Sequence, residues 1–188
     1  MMFILSNLTK WFGFREGQDP SLRIRREVGN LSYYNRKSPR IPSYDYSNAN
    51  YYFITICTQN RRCLFGSVDA LNFIGKIARE QIERFPTHYD CVKVDHYVVM
   101  PNHIHMILVL EKSGTHSAEQ IIGQYKAGVS REVRKIYPGI NIWQRSFHDH
   151  VIRDQAGYEN IWLYIEGNPQ MWYKDCFYVD PSVLQGNS

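Results

Sequence analysis

The sequence has no hydrophobic run long enough to cross a bilayer. No stretch approaches the ~18 consecutive apolar residues that a membrane-spanning helix needs. The apolar residues 1–8 have no basic segment before them and no small-residue cleavage site after them, which is unlike a signal peptide. We therefore expect no membrane segment, no signal peptide and a cytoplasmic location.

Cysteine is scarce, and the few cysteines lack the spacing of metal or disulfide motifs. The four cysteines at positions 57, 63, 91 and 176 show no paired spacing, which argues against a zinc ribbon or a disulfide framework and fits a reducing compartment. The sequence also lacks internal repeats and low-complexity segments. Its 188 residues are most simply one domain with an extension, enough to bury a sizeable core.

Positive charge is concentrated at the N-terminus. The formal net charge is +4, but residues 1–40 contain eight basic and three acidic residues and so carry +5, which leaves −1 for the other 148 residues. Tyr33 and Tyr34 lie among the basic residues of this arm, a composition that suits phosphates and unstacked bases. A solvated tail without a partner is equally compatible with it. The DNA contacts predicted in the arm are Arg23, Arg25, Arg26, Arg36, Lys37 and Arg40.

Hydrophobic periodicity predicts elements in the order β-α-β-β-α-β-α. Strands are predicted at residues 51–58, 91–100, 103–110 and 146–153 from apolar, aromatic and β-branched runs. Helices are predicted at residues 69–85, 117–137 and 156–167 from helical periodicity and from capping and stop residues. This order indicates an α+β fold, a ferredoxin-like antiparallel sheet with helices packed on it.

Two histidines stand at alternate positions of the predicted third strand. Because strand side chains alternate between faces, His103 and His105 point the same way, whereas Ile104 and Met106 point the other way. Two imidazoles on one face of a rigid strand make half of a metal site. The alternative is a pair of histidines that only form hydrogen bonds at the mouth of the strand.

A second His-x-His motif lies on the predicted fourth strand. His148 and His150 share a face, while Asp149 points to the opposite face and cannot join the same metal without a bulge. We expect hydrogen bonding at the strand edge for both histidines. Contact with a metal or with DNA is the less favoured alternative.

The last predicted helix carries a tyrosine and an asparagine four residues apart. Tyr164 and Asn168 are neighbours at the border of the apolar face of this helix. A tyrosine there is often a core-edge residue whose hydroxyl reaches water. Beside a metal held by the two histidines of the third strand, however, Tyr164 could attack a phosphodiester while Asn168 supplies an oxygen ligand. Two imidazoles and one amide oxygen leave coordination positions open and suit Mg²⁺ or Mn²⁺ better than a closed zinc site.

Several segments of the chain match, in order, the motifs of a known family. They are residues 44–47, 52–58 with 65–66, 98–105, 143–147, 151–154 and 164–169. Through them the chain resembles the REP-associated tyrosine transposases, members of the HUH superfamily of single-strand DNA transposases and nucleases. The His-hydrophobic-His motif alone is weakly diagnostic, whereas the whole ordered set is hard to obtain by chance.

The resemblance implies a role for individual residues. His103 and His105 match the paired metal ligands, Tyr164 matches the nucleophile, and Asn168 matches the third ligand. Such enzymes act on single-stranded DNA near a hairpin, form a 5′-phosphotyrosine and release a 3′-hydroxyl. The resemblance also implies a ferredoxin-like sheet, and it leaves open whether the protein is a monomer or a homodimer. Outside the arm, the predicted DNA contacts are Lys126, Arg131, Trp143, Gln144 and Arg145.

These expectations define three candidate functions. The favoured one is a metal-dependent endonuclease and strand transferase, a transposase whose HUH catalytic domain spans residues 41–178 between the 1–40 arm and a 179–188 tail. The second is a structure-specific protein that binds hairpin DNA or RNA without cutting it, and the third is a metallohydrolase of small phosphodiesters. An intact Tyr164 favours the first over the second, and the basic arm favours both over the third.

Overall fold

The structure is a computed structural model, and it describes residues 43–179. The six arm residues predicted to contact DNA lie outside the described residues, as does most of the predicted tail. Within residues 43–179, no helix is long and apolar enough to cross a membrane.

The strands of the described residues form one antiparallel sheet. β1 spans Asn50–Cys57, β2 spans Val92–Val99, β3 spans His103–Leu110 and β4 spans His148–Ile152. The strand order is β2-β3-β1-β4, so β1 and β3 are central and the other two strands lie at the edges. All eight residues of β3 are buried. The apolar run that predicted this strand is therefore in the interior, and its two histidines are buried with it.

Within residues 43–179, three longer helices and one short helix accompany the sheet. α1 spans Phe73–Glu83, α2 spans Phe85–His88, α3 spans Ala118–Arg134 and α4 spans Gln155–Gly167, and a 3-10 helix follows at Trp172–Lys174. A side chain caps each of the longer helices by accepting a hydrogen bond from a backbone N–H of the first turn. The capping residues are Asn72 for α1, Ser117 with its capping-box partner Gln120 for α3, and Asp154 for α4.

The two faces of the sheet meet different surroundings. On one face, Ile54 and Met106 pack with buried residues of α1 and α3 into the hydrophobic core. The opposite face lies under α4, where the Phe53 ring is 6.0 Å from the Tyr164 ring between centroids. Because neighbouring strand residues alternate between faces, both histidines of β3 lie on this second face.

The predicted α+β fold and element order are confirmed, but helix ends differ from the prediction. The helix predicted at 69–85 begins only at Phe73, because Gly66 adopts a φ of +105° and the chain turns back on itself. Gly66 then forms a bridge with Leu71, and Asn72 caps the helix directly afterwards. The helix α1 ends at Glu83, and Phe85, the last residue of the predicted helix, begins the separate helix α2, which has a proline in its first turn.

Candidate active site

His103 and His105 lie side by side on the sheet face under α4. Their ring centroids are 4.4 Å apart, and the two residues are 0% and 2% exposed. Burial lowers the pKa of His105 to about 4. Burial, followed by the nearby charges of His105 and Arg61, lowers the pKa of His103 well below its usual value. Both imidazoles are therefore neutral at pH 7, and each has one nitrogen that carries a lone pair.

The ring nitrogens of the two histidines have different partners. His103 Nδ1 lies 2.9 Å from Asn102 Oδ1, and His103 Nε2 is a buried atom without a hydrogen-bond partner. His105 Nδ1 lies 2.8 Å from Thr55 Oγ1, and His105 Nε2 lies 3.3 Å from the Tyr164 hydroxyl oxygen. The Nδ1 atoms are thus anchored to the sheet and to the turn before β3, which leaves the Nε2 atoms for the site.

The helix α4 brings the predicted nucleophile and the predicted third ligand to the histidines. Asp154 accepts a hydrogen bond from Gly157 N at 2.7 Å, which starts the helix directly after β4. Tyr164 is half-buried, and Asn168 is the C-terminal capping residue and only 4% exposed. The Oδ1 atom of Asn168 is buried without a hydrogen-bond partner. One helical turn therefore presents a hydroxyl and a free amide oxygen near the sheet.

Asp175 also belongs to the site, although no periodic pattern in the sequence identifies it. Its Oδ2 atom accepts hydrogen bonds from the Tyr164 hydroxyl at 3.2 Å and from Asn168 Nδ2 at 3.0 Å. Potential ligand atoms of His103, His105 and Asp175 all lie within 4.8 Å of one another. Asp175 lies beyond the last predicted helix, where no periodicity directs the chain back to the histidines. A carboxylate a few residues after the tyrosine helix is the signal that the sequence offers.

The residues around Asp175 cover the histidines, and we call residues 172–178 the covering segment. Phe177 N donates to Asp175 Oδ1 at 2.6 Å, and the Phe177 ring lies 4.7 Å from the His103 ring between centroids. The Arg61 guanidinium lies 5.2 Å from the centre of the Phe177 ring, within the range of a cation–π contact. These contacts explain why both histidines are buried although they lie near the start of β3.

The donor atoms of this site fit a divalent metal ion such as Mg²⁺ or Mn²⁺. Potential ligand atoms of two imidazoles and one carboxylate lie within 4.8 Å of one another, the Asn168 amide is hydrogen-bonded to that carboxylate, and oxygen ligands are those that these ions prefer. Two of the atoms, His103 Nε2 and Asn168 Oδ1, are buried and have no hydrogen-bond partner. Buried polar atoms are nearly always paired, so a cation bound between them would supply the missing partner.

The second His-x-His motif lies on the same sheet face but apart from this cluster. His148 pairs with Thr55, and Thr55 pairs with His105, so one strand separates the two histidines. Asp149 pairs with Ile54 on the core face and is 7% exposed, which confirms that it points away from the histidines of its motif. Within the described residues, neither of those histidines belongs to the cluster of potential metal ligands.

Lys126 and Trp143 form hydrogen bonds that stabilise the loop of Gln144 and Arg145, two further predicted DNA contacts. Lys126 Nζ donates to the carbonyl oxygens of residues 144, 145 and 146 at 2.6, 3.1 and 3.4 Å. The Trp143 indole donates to the Lys126 carbonyl at 3.0 Å, and Trp143 is only 7% exposed. Both side chains therefore help to hold the loop in place. Contact with DNA stays a prediction for Lys126, Arg131, Trp143, Gln144 and Arg145.

The low histidine pKa values predict that acid destabilises the protein. A histidine in the unfolded chain has a pKa near 6.5, whereas burial lowers the pKa of His105 to about 4. Between these values the unfolded state binds more protons, so the free energy of unfolding falls as the pH drops through this window. Protonation of His105 alone should lower the free energy of unfolding by about 2 kcal/mol at pH 5 relative to pH 7. Urea unfolding of the metal-free protein and of His105→Gln would measure this, and an equal pH effect in both would contradict the assignment.

Comparisons with known proteins place the chain in a family. The sequence pattern described as "Transposase IS200 like" matches residues 45–168. An uncharacterized protein of Haemophilus influenzae is 33% identical over 80% of this chain and 97% of its own length. A protein of the same organism assigned to the REP-associated tyrosine transposases is 28% identical over 66% of this chain and 73% of its own length. A solved structure of a REP-associated tyrosine transposase bound to a REP hairpin has a TM-score of 0.52 and 21% identity, covering 71% of this chain and 74% of that one.

The fold and the sequence match together define the class of this protein, which is a transposase. The chain belongs to the IS200-like transposase family. The resemblance to the REP-associated tyrosine transposases is confirmed by the relative of that name and by the shared fold. The family match contains both histidines of β3, Tyr164 and Asn168, and it ends before Asp175.

Proposed function

We propose that the chain cuts and rejoins single-stranded DNA beside hairpins, with Tyr164 as the nucleophile. The observation that carries this proposal is the position of the Tyr164 hydroxyl, 3.3 Å from His105 Nε2 and 3.2 Å from Asp175 Oδ2. A tyrosine placed in this way has a proton acceptor on one side and a potential metal ligand on the other. The solved relative was bound to a REP hairpin, which supports hairpin DNA as the substrate.

Cleavage begins when the Tyr164 oxygen attacks the phosphorus of a DNA phosphodiester. The bond between tyrosine oxygen and phosphorus forms, the bond between phosphorus and the 3′-oxygen breaks, and the new 5′ end is a phosphotyrosine. The tyrosine proton passes to the Asp175 carboxylate, which already accepts its hydrogen bond. The departing 3′-oxygen takes up a proton from water and leaves as a 3′-hydroxyl. Because the phosphotyrosine retains the bond energy, another 3′-hydroxyl can attack it, which reseals the DNA and frees the tyrosine.

His103, His105 and Asn168 would hold the Mg²⁺ or Mn²⁺ ion, while Asp175 accepts the tyrosine proton. When bound, the ion would polarise the scissile phosphate and neutralise the charge that develops on it. The two histidines would contribute from the sheet and Asn168 from the end of α4. The hydrogen bond from Asn168 Nδ2 to Asp175 leaves the amide oxygen of Asn168 as its coordinating atom.

A covalent adduct is the direct test of this proposal. The protein is incubated with Mn²⁺ and with hairpin-containing single strands taken from the flanks of its own gene, and the products are separated on a denaturing gel. We expect a covalent product in which the protein is attached to the 5′ end of the downstream fragment, and a free upstream fragment that ends in a 3′-hydroxyl. Tight hairpin binding without any adduct would contradict the proposal and favour a hairpin-binding protein that does not cut.

The basic arm is expected to contribute affinity rather than chemistry. Each neutralised phosphate of a single strand releases counterions, so log K falls by roughly 0.7 per contact for each log unit of salt. Deletion of residues 1–40 should therefore weaken hairpin binding and flatten its salt dependence. Cleavage at saturating DNA should persist, because the site residues all lie outside the arm. Fluorescence anisotropy titrations at several salt concentrations would measure both slopes.

A full-length variant separates the charge of the arm from its length. In this control the predicted contacts are replaced together by Gln, namely Arg23, Arg25, Arg26, Arg36, Lys37 and Arg40. It should reproduce the flatter salt dependence of the deletion. Salt slopes that agree within error among the wild type and both variants would contradict the prediction. Recognition of DNA would then move to the α3 face from Lys126 to Lys135 and to the loop of Trp143, Gln144 and Arg145.

A further inference from the structure

Asn102 is fully buried and lies in the turn that joins β2 to β3, directly before His103. Its side chain has three partners. Nδ2 lies 3.0 Å from the Arg61 carbonyl oxygen and 2.8 Å from the Phe177 carbonyl oxygen. The third partner is His103 Nδ1, 2.9 Å from Asn102 Oδ1. The asparagine therefore connects the turn after β1, the covering segment and one of the histidines.

These partners fix the orientation of the Asn102 amide. A carbonyl oxygen accepts hydrogen bonds and cannot donate them, so the group that faces two carbonyl oxygens must be the amide nitrogen with its two N–H donors. The Asn102 oxygen is then the atom that faces His103 Nδ1. An exchange of the amide nitrogen and oxygen would set one oxygen against two others in a buried space, at a cost of several unmade hydrogen bonds.

The orientation of the amide decides where His103 carries its proton. His103 is fully buried, and burial disfavours the charged imidazolium, so one ring nitrogen carries the proton and the other has a lone pair. An amide oxygen offers an acceptor only, so Nδ1 must be the nitrogen that donates. The lone pair is therefore on Nε2, the buried atom without a hydrogen-bond partner.

We propose that Asn102 is a positioning residue that sets the tautomer of His103, holding the proton on Nδ1 and the lone pair on Nε2. Its consequence for metal binding rests on the proposed function, because Nε2 is the atom that would bind the ion there. A ligand histidine whose other nitrogen is hydrogen-bonded has a fixed ring and a more basic coordinating nitrogen. The assignment of the tautomer itself needs neither metal nor DNA.

Backbone contacts around Asn102 hold it in this arrangement. The Asn102 carbonyl accepts hydrogen bonds from Thr58 N at 2.9 Å and from Thr58 Oγ1 at 3.0 Å. Asn60 and Arg61 both adopt left-handed conformations, with φ of 55° and 54°, which non-glycine residues adopt at a cost. The strained turn presents the Arg61 carbonyl to the Asn102 amide. The strained turn therefore holds the Arg61 carbonyl in the position where it orients the Asn102 side chain.

His105 is the natural internal comparison, because its partner imposes no such constraint. Thr55 Oγ1 can donate to His105 Nδ1 or accept from it, since a hydroxyl has one donor and two acceptor sites. Thr55 therefore leaves the tautomer of His105 open, and the tautomer depends on whether the Tyr164 hydroxyl donates to His105 Nε2 or to Asp175. A tautomer fixed by the Nδ1 partner is predicted for His103 only.

The test is nitrogen NMR of the metal-free, full-length protein labelled with ¹⁵N in histidine. The protonated and unprotonated ring nitrogens differ strongly in chemical shift, and His103→Gln assigns the His103 signals by their loss. We expect Nδ1 of His103 to be protonated and Nε2 to be unprotonated in the wild type at pH 7. Protonation of Nε2, or a mixture of the two tautomers, would overturn the proposal without any variant of Asn102.

A variant of Asn102 and one control sharpen the result. Asn102→Ala removes the acceptor and should give a mixture of His103 tautomers. Thr55→Val removes the partner of His105 and should leave the His103 tautomer unchanged. An unmixed Nδ1–H tautomer in folded Asn102→Ala would overturn the role of Asn102. If the alanine variant does not fold, the wild-type spectrum decides.

Metal binding gives a second readout that separates this inference from the proposed function. Calorimetry should show Mn²⁺ affinity about 10–100-fold weaker in Asn102→Ala, the usual effect of losing the partner of a ligand histidine. Unchanged affinity in that variant would overturn the positioning role. A wild type that shows the expected tautomer but binds no Mn²⁺ would support the tautomer assignment and contradict the metal site of the proposed function.

Discussion

Tyr164→Phe is expected to abolish the covalent protein–DNA adduct while leaving the protein folded and able to bind a hairpin. The substitution removes one oxygen and keeps the ring, so the contact with Phe53 survives and stability should change by about 1 kcal/mol or less. Asp175 keeps its hydrogen bonds from Asn168 Nδ2 and Phe177 N. The adduct assay on a denaturing gel measures the first effect, and urea unfolding measures the second.

Two neighbouring tyrosines provide matched controls for this experiment. Tyr158 lies on the same helix and donates its hydroxyl to Asp95, and Tyr173 is 62% exposed in the covering segment. Phe variants of both should form the adduct at the wild-type level. An adduct formed by Tyr164→Phe would show that another tyrosine is the nucleophile, and the control that loses its adduct would identify it.

His103→Ala and His105→Ala are each expected to lower Mn²⁺ affinity by more than about 100-fold, beyond the loss that is usual for an outer partner of a ligand. Each substitution removes one of the converging Nε2 atoms and leaves the remaining donors incomplete. Isothermal titration calorimetry would measure the affinity. Adduct formation should fall with it, because the phosphate then loses the charge stabilisation that a bound ion supplies.

His148→Ala is the matched control for the histidine variants. It removes an imidazole from the same sheet face, one strand away from His105, and should leave Mn²⁺ affinity unchanged. Equal affinity in the wild type, His103→Ala and His105→Ala would contradict the metal site described here. A loss confined to His148→Ala would instead move the site to β4.

Sequence periodicity predicted the parts of the site that lie on regular elements. The two-residue period of a strand put His103 and His105 on one face, and the helical period put Tyr164 and Asn168 one turn apart. Both periods are local, so they are readable without knowledge of the rest of the fold. The same patterns placed the elements in the correct order, because strands and helices differ in the spacing of their apolar residues.

The parts that sequence periodicity could not predict depend on contacts between distant segments. Asp175 reaches the histidines through an irregular segment, and Asn102 acquires its role from carbonyl groups of Arg61 and Phe177. The sequence also does not show which contacts a basic side chain makes. Lys126 on α3 was predicted to contact DNA, and in the structure its ammonium group donates to three carbonyl oxygens of the following loop. Neither kind of contact leaves a repeating signal along the chain.

The strand order has a consequence for how the protein is made. β1 leaves the ribosome first, yet it is central in the sheet, and its Tyr51 pairs with Val109 of β3 and with Ile152 of β4. Such long-range pairings form slowly and only after the later strands have been synthesised. Tyr164 and Asp175 follow later still. A nascent or truncated chain that ends soon after β4 therefore contains all four strands and both histidines but lacks Tyr164 and Asp175, so the proposed nucleophile joins the site only near the end of synthesis.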